Sequence, residues 1–495
     1  MNARVPLVAL NAPQALAQVS QAWDGDIVAR LQDYIRIPAK SPAFDPDWAA
    51  AGHIDTVVRQ TAQWIEAQKV RGLRLEVIRL EGRTPVLFFE VAAHQHQGTQ
   101  TVLMYGHLDK QPEFSGWRND LGPWTPRYEN GKLYGRGGAD DGYAAYAAIA
   151  ALQALQTQDV AHPRVVGLIE TCEESGSYDL LPYIDVLRER LGDVGLVVCL
   201  DSGAGNYDQL WITNSLRGMA SGTLKVQVLT EGVHSGDASG LVPSSFRVMR
   251  QLLERLEDSA TGRLLPASLH CEVPSDRLDQ ARATAAILGD ELFKRFPWAH
   301  YDCGGASAFA LPTTTDPLEA LLKRTWQPTL SVTGAEGLPS LQDAGSVLRP
   351  YTAFKLSLRL PPLVDAGVAV QQVKALLEDN APYQAQVTFE GSGSATGWNA
   401  PTTASWFETA LNAASQAHFG APCGYIGQGG TIPLMNMLSQ GFPKAQMMVC
   451  GVLGPKSNAH GPNEFLHVPY AKKLTAAVAQ VISCFPSTTD ADHER

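Results

Sequence analysis

Apolar and polar positions in the first two hundred residues follow two periods. Consecutive or alternating apolar residues predict strands, at residues 75–80, 86–91, 101–105, 165–169 and 195–200. Apolar residues three and four apart predict helices, at residues 26–35, 50–69, 143–155 and 181–191. Strands that alternate with helices form a mostly parallel sheet with helices on both faces. This part of the chain is therefore predicted to be of the α/β class.

The pattern changes after residue 214, where alternating apolar and polar residues indicate half-exposed antiparallel strands. Strands are predicted at 222–228, 353–360, 385–389 and 447–452, and helices at 244–256, 368–377 and 406–419. The segment Gly391-Ser392-Gly393-Ser394 has the composition of a flexible hinge. We therefore predict an α+β domain at 214–392, inserted into a first domain formed by 1–213 and 393–495.

Residues of the types that commonly bind metals in proteins follow three of the predicted strands. His107 and Asp109 follow the strand at 101–105, Glu173 and Glu174 follow 165–169, and Asp201 follows 195–200. Ligands of open parallel sheets bind at the carboxyl ends of the strands. A carboxylate at the end of a buried strand, such as Asp201, needs a cation or hydrogen-bond donors.

Two further positions extend this set. Asp140 follows the glycine-rich turn 135–138, which lacks the endings of nucleotide-binding loops. His460 follows the last predicted strand. Taken singly, Asp140 also suits a helix cap, and the histidines and glutamates also suit ordinary surface positions. Together they supply two imidazoles and three carboxylates, with Glu173 to spare, which suits two divalent ions bridged by one carboxylate.

Composition narrows the classes of function. The 495 residues are 45% hydrophobic and 18% charged, which is typical of a globular protein of more than one domain. The net charge of −11 and the absence of basic runs argue against a nucleic-acid partner. No apolar run approaches the length of a membrane span, and the seven cysteines form no C-x-x-C pair. We therefore expect a cytoplasmic protein that does not bind nucleic acid or a membrane.

The ordered set of motifs resembles a known family. Gly106-His107-Leu108-Asp109, Tyr134-Gly135-Arg136-Gly137 with Asp140-Asp141, Glu173-Glu174-Ser175-Gly176-Ser177, Asp201 and His460 occur in the order found in one group of dinuclear zinc metallopeptidases. The group contains the carnosinases, cytosolic nonspecific dipeptidase, aminoacylase and succinyl-diaminopimelate desuccinylase. The segment Gly116–Pro126 is most similar to the dipeptidase and carboxypeptidase branch.

This resemblance implies a role for each residue. Asp140 would bridge two metal ions, His107 and Asp201 would complete one site, and Glu174 and His460 would complete the other. Glu173 would be the general base and Asp109 would orient His107. Zinc is expected first, and manganese or cobalt also suit the ligand set.

The resemblance extends to the inserted segment, which would be a lid and dimerisation domain beside a catalytic domain. His234, in Gly232-Val233-His234-Ser235-Gly236, would stabilise the oxyanion, from the neighbouring subunit in a homodimer. Arg359 would bind a substrate carboxylate, and Gly429 and Gly430 would line the substrate end. One histidine or one arginine is easily matched by chance, so structural roles for His234 and Arg359 stay open.

The predicted function is hydrolysis of a peptide bond, in a dipeptide or at a C-terminal residue. One alternative is an N-acyl amino acid amidohydrolase, and another is a non-catalytic binding protein on the same scaffold. Two departures bear on the substrate: Gly142 stands where the family usually has lysine, and Gln428 stands where it often has an acid. The role of Glu170 stays open.

Overall fold

The computed structural model describes residues 8–303, 306–430 and 433–487. Within them the chain forms two compact units. Unit 1 contains the chain up to Thr213, Ala400–Ile426 and the chain from Met437 onward. Unit 2 contains Asn214–Asn399 and Gly427–Asn436. None of the described helices is both long and apolar enough to cross a membrane.

A six-stranded sheet forms the centre of unit 1. In spatial order its strands are Leu73–Ile78, Val86–Val91, Arg164–Glu170, Thr101–His107, Val194–Cys199 and Gln446–Val449. The last four strands are parallel to one another, and the first two join antiparallel. Every residue of Thr101–His107 is buried, as expected for a central parallel strand. The predicted α/β class with a mostly parallel sheet is confirmed.

Helices cover much of this sheet. They are Ala12–Ala22, Trp23–Ile27, Val28–Arg36, Trp48–Ala51, His53–Ala67, Ala144–Thr157, Leu180–Leu191, Ser405–Phe419, Pro433–Gly441 and Val468–Ser483, of which Pro433–Gly441 begins in unit 2 and ends in unit 1. Ala144–Thr157 is buried along most of its length and packs against Thr101–His107 and Arg164–Glu170. Its alanines allow this close approach because they project little from the helix. A small antiparallel sheet in unit 1 joins Phe465–His467, Lys132–Tyr134 and Arg127–Glu129.

Unit 2 contains a four-stranded antiparallel sheet, in the order Thr329–Glu336, Tyr351–Leu360, Gly218–Gln227 and Gln386–Ala395. Burial along Gly218–Gln227 alternates strictly, which is the pattern of a sheet with one covered face. The helices Ser245–Leu256 and Ala366–Glu378 pack against the sheet and share its core of Leu, Val and Phe side chains. Further helices are Ser235–Ala238, Ser275–Leu288, Glu291–Lys294 and Pro317–Thr325. Short strands pair Val233–His234 with Val347–Leu348 and His300–Cys303 with Ala306–Phe309.

Three short strands lie where the chain changes unit. Trp211–Leu216 and Gly424–Gln428 each run across such a change, and Trp398–Asn399 ends just before another. The segment 391–394 is not the expected hinge, because it lies inside the strand Gln386–Ala395 and pairs with Gly218–Gln227. Unit 2 therefore continues past the predicted boundary at 392, and it also takes in Gly429 and Gly430. The assignment of a catalytic domain and a lid domain stays a prediction.

Candidate metal centre

His107 ends the central strand Thr101–His107 with its imidazole fully buried. Its Nδ1 lies 3.1 Å from the carbonyl oxygen of Asp109 and 3.4 Å from the carboxylate Oδ1 of the same residue. Because Nδ1–H donates to this carbonyl, the neutral imidazole has its lone pair on Nε2. Among the described residues Nε2 has no hydrogen-bond partner.

The free Nε2 of His107 faces two carboxylates. It lies 3.7 Å from Oδ1 of Asp140 and 3.8 Å from Oδ2 of Asp201. These distances are too long for hydrogen bonds. They are the spacing of atoms that share a cation, since bonds of about 2.0–2.2 Å leave ligand atoms roughly 3–4 Å apart. An orphaned, buried nitrogen between two carboxylates therefore fits a metal ligand.

A second group of ligand atoms uses the other oxygen of Asp140. His460 Nε2 lies 2.9 Å from Asp140 Oδ2 and 3.4 Å from Glu174 Oε2. This 2.9 Å contact does not count as a hydrogen bond, since Asp140 Oδ2 has no hydrogen-bond partner among the described residues. In each group one ligand atom per residue lies within 4.8 Å of the others, and Asp140 belongs to both groups.

The electrostatics of the cluster indicate that positive charge is needed there. Burial and the nearby Asp140 raise the pKa of Asp201 to about 7, although His107 opposes the shift. Burial and the charges of Asp140 and Glu173 raise the pKa of Glu174 well above its usual range. The pKa of Glu173 is also well above its usual range, because of burial and the charge of Asp201. Carboxylates this crowded ionise together only beside cations.

Asp109 stabilises the turn that carries Glu173 and Glu174. Oδ1 of Asp109 accepts the backbone N–H of Glu173 at 3.2 Å, and Oδ2 accepts that of Glu174 at 3.0 Å. Asp109 thus contacts both His107 and this turn. Gln111, which the sequence analysis did not single out, donates from Nε2 to Glu174 Oε2 at 2.6 Å. Gln111 could have been recognised from the sequence, because it lies two residues after Asp109 and therefore on the same side of an extended chain.

A buried ion pair links the turn before Asp140 to the loop of His460. Arg136 and Glu464 are 1% and 0% exposed, and Arg136 Nη1 donates to Glu464 Oε2. Arg136 Nη2 also donates to the carbonyl oxygens of His460 and Gly461, both at 3.0 Å. Glu464 Oε1 accepts the backbone N–H of Gly137 at 2.9 Å. The pair fixes two segments that bear candidate ligands.

Glu170 lies opposite His107 in the parallel register of the sheet. Its Oε1 accepts hydrogen bonds from the hydroxyls of Tyr105 at 2.6 Å and Ser177 at 2.9 Å. Burial and the charge of Asp109 raise the pKa of Glu170 to about 7. Its hydrogen bonds support the strand and the turn on which candidate ligands lie.

There is a steric reason for glycine rather than lysine at position 142. A Cβ atom at this position would lie 2.2 Å from Cε1 of Tyr34 and 2.8 Å from the carbonyl oxygen of Gly137. The ring of Tyr34 is fully enclosed, and Lys110 Nζ lies 3.8 Å from its centroid. No side chain fits at 142 without moving this ring.

The remaining predicted site residues lie in unit 2. His234 has a 67% exposed side chain, and its Nδ1 accepts the backbone N–H of Gly236 at 3.2 Å. Arg359 lies near the end of the strand Tyr351–Leu360, half-buried. Gly429 is close to the side chain of Arg217, whose Nε donates to the Gly429 carbonyl oxygen at 3.3 Å. A Cβ atom at Gly430 would meet none of the described residues within 4 Å.

Comparison with known families decides the identity of the chain. Residues 103–483 match the Peptidase family M20/M25/M40. The chain belongs to this family. The resemblance deduced from the motifs is thereby confirmed, and the chain is a metallopeptidase. The family contains dinuclear metal-binding peptidases, which agrees with two ligand groups that share Asp140.

Individual relatives agree with this assignment to the M20 family. A cysteinylglycine-S-conjugate dipeptidase of Corynebacterium striatum is 26% identical over 443 residues, which are 85% of this chain and 90% of the relative. The fold is similar to that of human carnosine dipeptidase 1, with a TM-score of 0.71 at 22% identity, over 97% of this chain and 100% of the other. It is equally similar to an M20 family metallo-carboxypeptidase from Sulfolobus solfataricus, with a TM-score of 0.71 at 21% identity, over 93% and 99% of the chains.

Proposed function

We propose that this metallopeptidase cleaves a peptide bond close to a free carboxylate, in a dipeptide or at the C-terminus of a short peptide. The relatives named as dipeptidases and the fold shared with a carboxypeptidase support this substrate class. The observation that carries the proposal is the position of Asp140. One of its oxygens faces His107, and the other faces His460.

Two divalent ions, zinc in the first instance, would be held by five residues. His107 and Asp201 would hold one ion, Glu174 and His460 the other, and Asp140 both. When bound, the ions would acidify the attacking water and polarise the scissile carbonyl. Imidazole and carboxylate ligands suit zinc, and the number of carboxylates also suits manganese or cobalt.

Glu173 would act as general base. Its carboxylate lies beside the ligands, and its raised pKa makes it a stronger base than an ordinary glutamate. It would accept a proton from the attacking water and pass it to the leaving amine as the C–N bond breaks. Asp109 would keep His107 and the turn of Glu173 in place through the hydrogen bonds described above.

The residues of unit 2 would act on the substrate. Because Nδ1 of His234 accepts a hydrogen bond, its Nε2 carries the proton and can donate to an oxyanion. Arg359 would bind the substrate carboxylate, with Gly429 and Gly430 beside it. In the homodimer that we propose, His234 would serve the site of the other subunit. A fully active monomer in sedimentation experiments would exclude that arrangement. We also propose a cytoplasmic location.

The deciding experiment compares dipeptides with their N-acetylated forms, using chelator-treated protein refilled with Zn²⁺ or Mn²⁺. We expect metal to restore cleavage, and only of peptides with a free amine. A preference for the acetylated forms would instead establish the amidohydrolase alternative. Absence of cleavage with two ions bound would contradict the proposed substrate class.

Two variants test the division of roles. Glu173→Ala should retain both ions and lose nearly all turnover, because it removes the base and no ligand. Asp140→Ala should lose metal, which is measured by elemental analysis after gel filtration. Full metal content and activity in Asp140→Ala would refute the bridging role.

A further inference from the structure

A cavity of about 350 Å³ lies within unit 2, apart from the residues assigned to metal binding. One side of it is apolar, and includes Phe293, Phe296, Trp298 and Leu311. Phe296 and Leu311 are 49% and 85% exposed, which is unusual for large apolar side chains in a single cluster. A volume of this size is in the range of small-molecule pockets.

The other side of the cavity carries arginines. Nε and Nη2 of Arg324 are buried and have no hydrogen-bond partner among the described residues. Arg217 also lines the cavity, and its side chain donates hydrogen bonds to the carbonyl oxygens of Gln327 and Gly429 and to the hydroxyl of Thr329. Burial and the positive charges of Arg295 and Arg217 lower the pKa of Arg324 to about 9. A buried guanidinium beside further cations is costly unless an anion neutralises it.

We propose that this cavity binds a small carboxylate with an apolar side chain, with the carboxylate on Arg324 and Arg217 and the side chain against Phe296, Trp298 and Leu311. The planar guanidinium forms paired hydrogen bonds with a carboxylate. The apolar side chain of the ligand would contact the exposed apolar residues of the cavity. An amino acid such as phenylalanine or leucine has both parts.

Two sources could supply such a ligand. It is either the C-terminal residue of a peptide substrate, whose carboxylate Arg324 and Arg217 would then bind in place of Arg359, or a free amino acid that acts as an effector. The substrate source rests on the proposed peptidase function, and Arg217 connects the cavity to Gly429 of the predicted substrate loop. The binding of the carboxylate itself does not depend on catalysis.

The first test is calorimetric titration of the full-length, chelator-treated protein with L-phenylalanine and with L-phenylalaninamide, which lacks the carboxylate. We expect the acid to bind and the amide to bind at least about tenfold more weakly, since hydrogen bonds to charged groups are lost. Arg324→Met should weaken binding of the acid by a similar factor. Arg282→Met is the matched control, because Arg282 is an exposed arginine of the helix Ser275–Leu288 with an ion pair to Asp279. It should leave binding unchanged.

Thermal unfolding adds a readout that a purely structural arginine would not give. Arg324→Met removes an unneutralised buried charge and should raise the melting temperature of the ligand-free protein. Leu311→Asp provides a second variant, because Leu311 is 85% exposed and its replacement should not affect folding. The new carboxylate at the wall should repel the ligand and abolish binding. Equal binding of L-phenylalanine by the wild type and Leu311→Asp, or no binding by the wild type, would overturn the proposal.

Kinetics then separate the two sources. If the cavity receives the end of the substrate, Leu311→Asp should raise KM for a dipeptide ending in phenylalanine and leave KM for one ending in glycine unchanged. If it receives an effector, free L-phenylalanine should alter kcat in the wild type and have no effect in Leu311→Asp. Either result supports the site. If no peptide is cleaved at all, the proposed function fails while the titration result stands.

Discussion

Replacement of Arg136 by methionine should weaken metal binding through the loop of His460. The side chain of Arg136 makes four hydrogen bonds, to Pro112, Glu464, His460 and Gly461. Methionine fills much of the same space and makes none of them. The carboxylate of Glu464 would lose its charge partner, and the carbonyl oxygen of His460 would lose its donor.

The expected cost follows from the burial of the pair. Removal of one partner from a buried ion pair costs about 3–5 kcal/mol. For a domain of this size that lowers the melting temperature by roughly 6–10 °C. Loss of groups that support metal ligands typically lowers metal affinity about 10- to 100-fold. We expect the larger loss for the ion bound by His460, measured by competition with a chromophoric chelator at pH 7.

A double variant separates stability from positioning. Arg136→Met with Glu464→Met replaces the pair by two apolar side chains, so much of the lost stability should return. Metal affinity should stay low, because the His460 loop still lacks its donor. The exposed arginine Arg118, which pairs with Asp120 and Glu129, serves as control, and Arg118→Met should change neither quantity. Wild-type metal affinity in Arg136→Met would refute the positioning role.

Three further predictions concern unit 1. Gln111→Leu removes the 2.6 Å hydrogen bond to Glu174 and should lower metal affinity about tenfold in the same chelator assay, whereas unchanged affinity would show that Glu174 needs no such support. Gly142→Ala should lower the free energy of unfolding by about 1–3 kcal/mol in urea, because its Cβ would overlap the Tyr34 ring. Gly25→Ala should be neutral or stabilising, because no described atom lies within 4 Å of a Cβ at that position. Equal effects of the two changes would contradict the steric argument. In the metal-free protein the pKa of Asp201 is raised by burial from 3.8 to about 7, so the folded state binds more protons than the unfolded state in this range and the melting temperature should fall as pH rises from 4 to 7. Zinc should abolish that slope, and a slope of the opposite sign would show that Asp201 is not buried as described.

The sequence predicted the central sheet of unit 1 well because most of its strands are continuous apolar runs. Val86–Val91 was placed to the residue, and the strands before His107, Glu173 and Asp201 were placed to within two residues of their starts. The hinge predicted at 391–394 was wrong for a local reason. Glycine and serine suit a flexible linker. In the structure, however, the residues on both sides of an irregularity between Gly391 and Gly393 pair with the strand Gly218–Gln227.

Site residues differ in how far sequence alone could reveal them. His107, Asp140 and His460 stand next to recognisable motifs, whereas Arg136 acts through Glu464, more than three hundred residues away in sequence. Such a contact depends on how the strands Lys132–Tyr134 and Phe465–His467 pair. Likewise the enclosure of Gly142 by Tyr34 arises from packing of the N-terminal helices. Only three-dimensional contacts determine these features.

The position of the strand Gln446–Val449 has a consequence during synthesis. It pairs with Val194–Cys199, whose six residues are all buried, yet it is translated about 250 residues later. At 5–20 residues per second, the interval is roughly 10–50 s. Throughout that time the nascent chain has an unpaired apolar strand edge, which is prone to aggregate. His460 emerges later still, so a ribosome-bound chain has no complete metal centre. We expect this protein to need chaperone protection while it is made and to become hydrolytic only after His460 has left the ribosome.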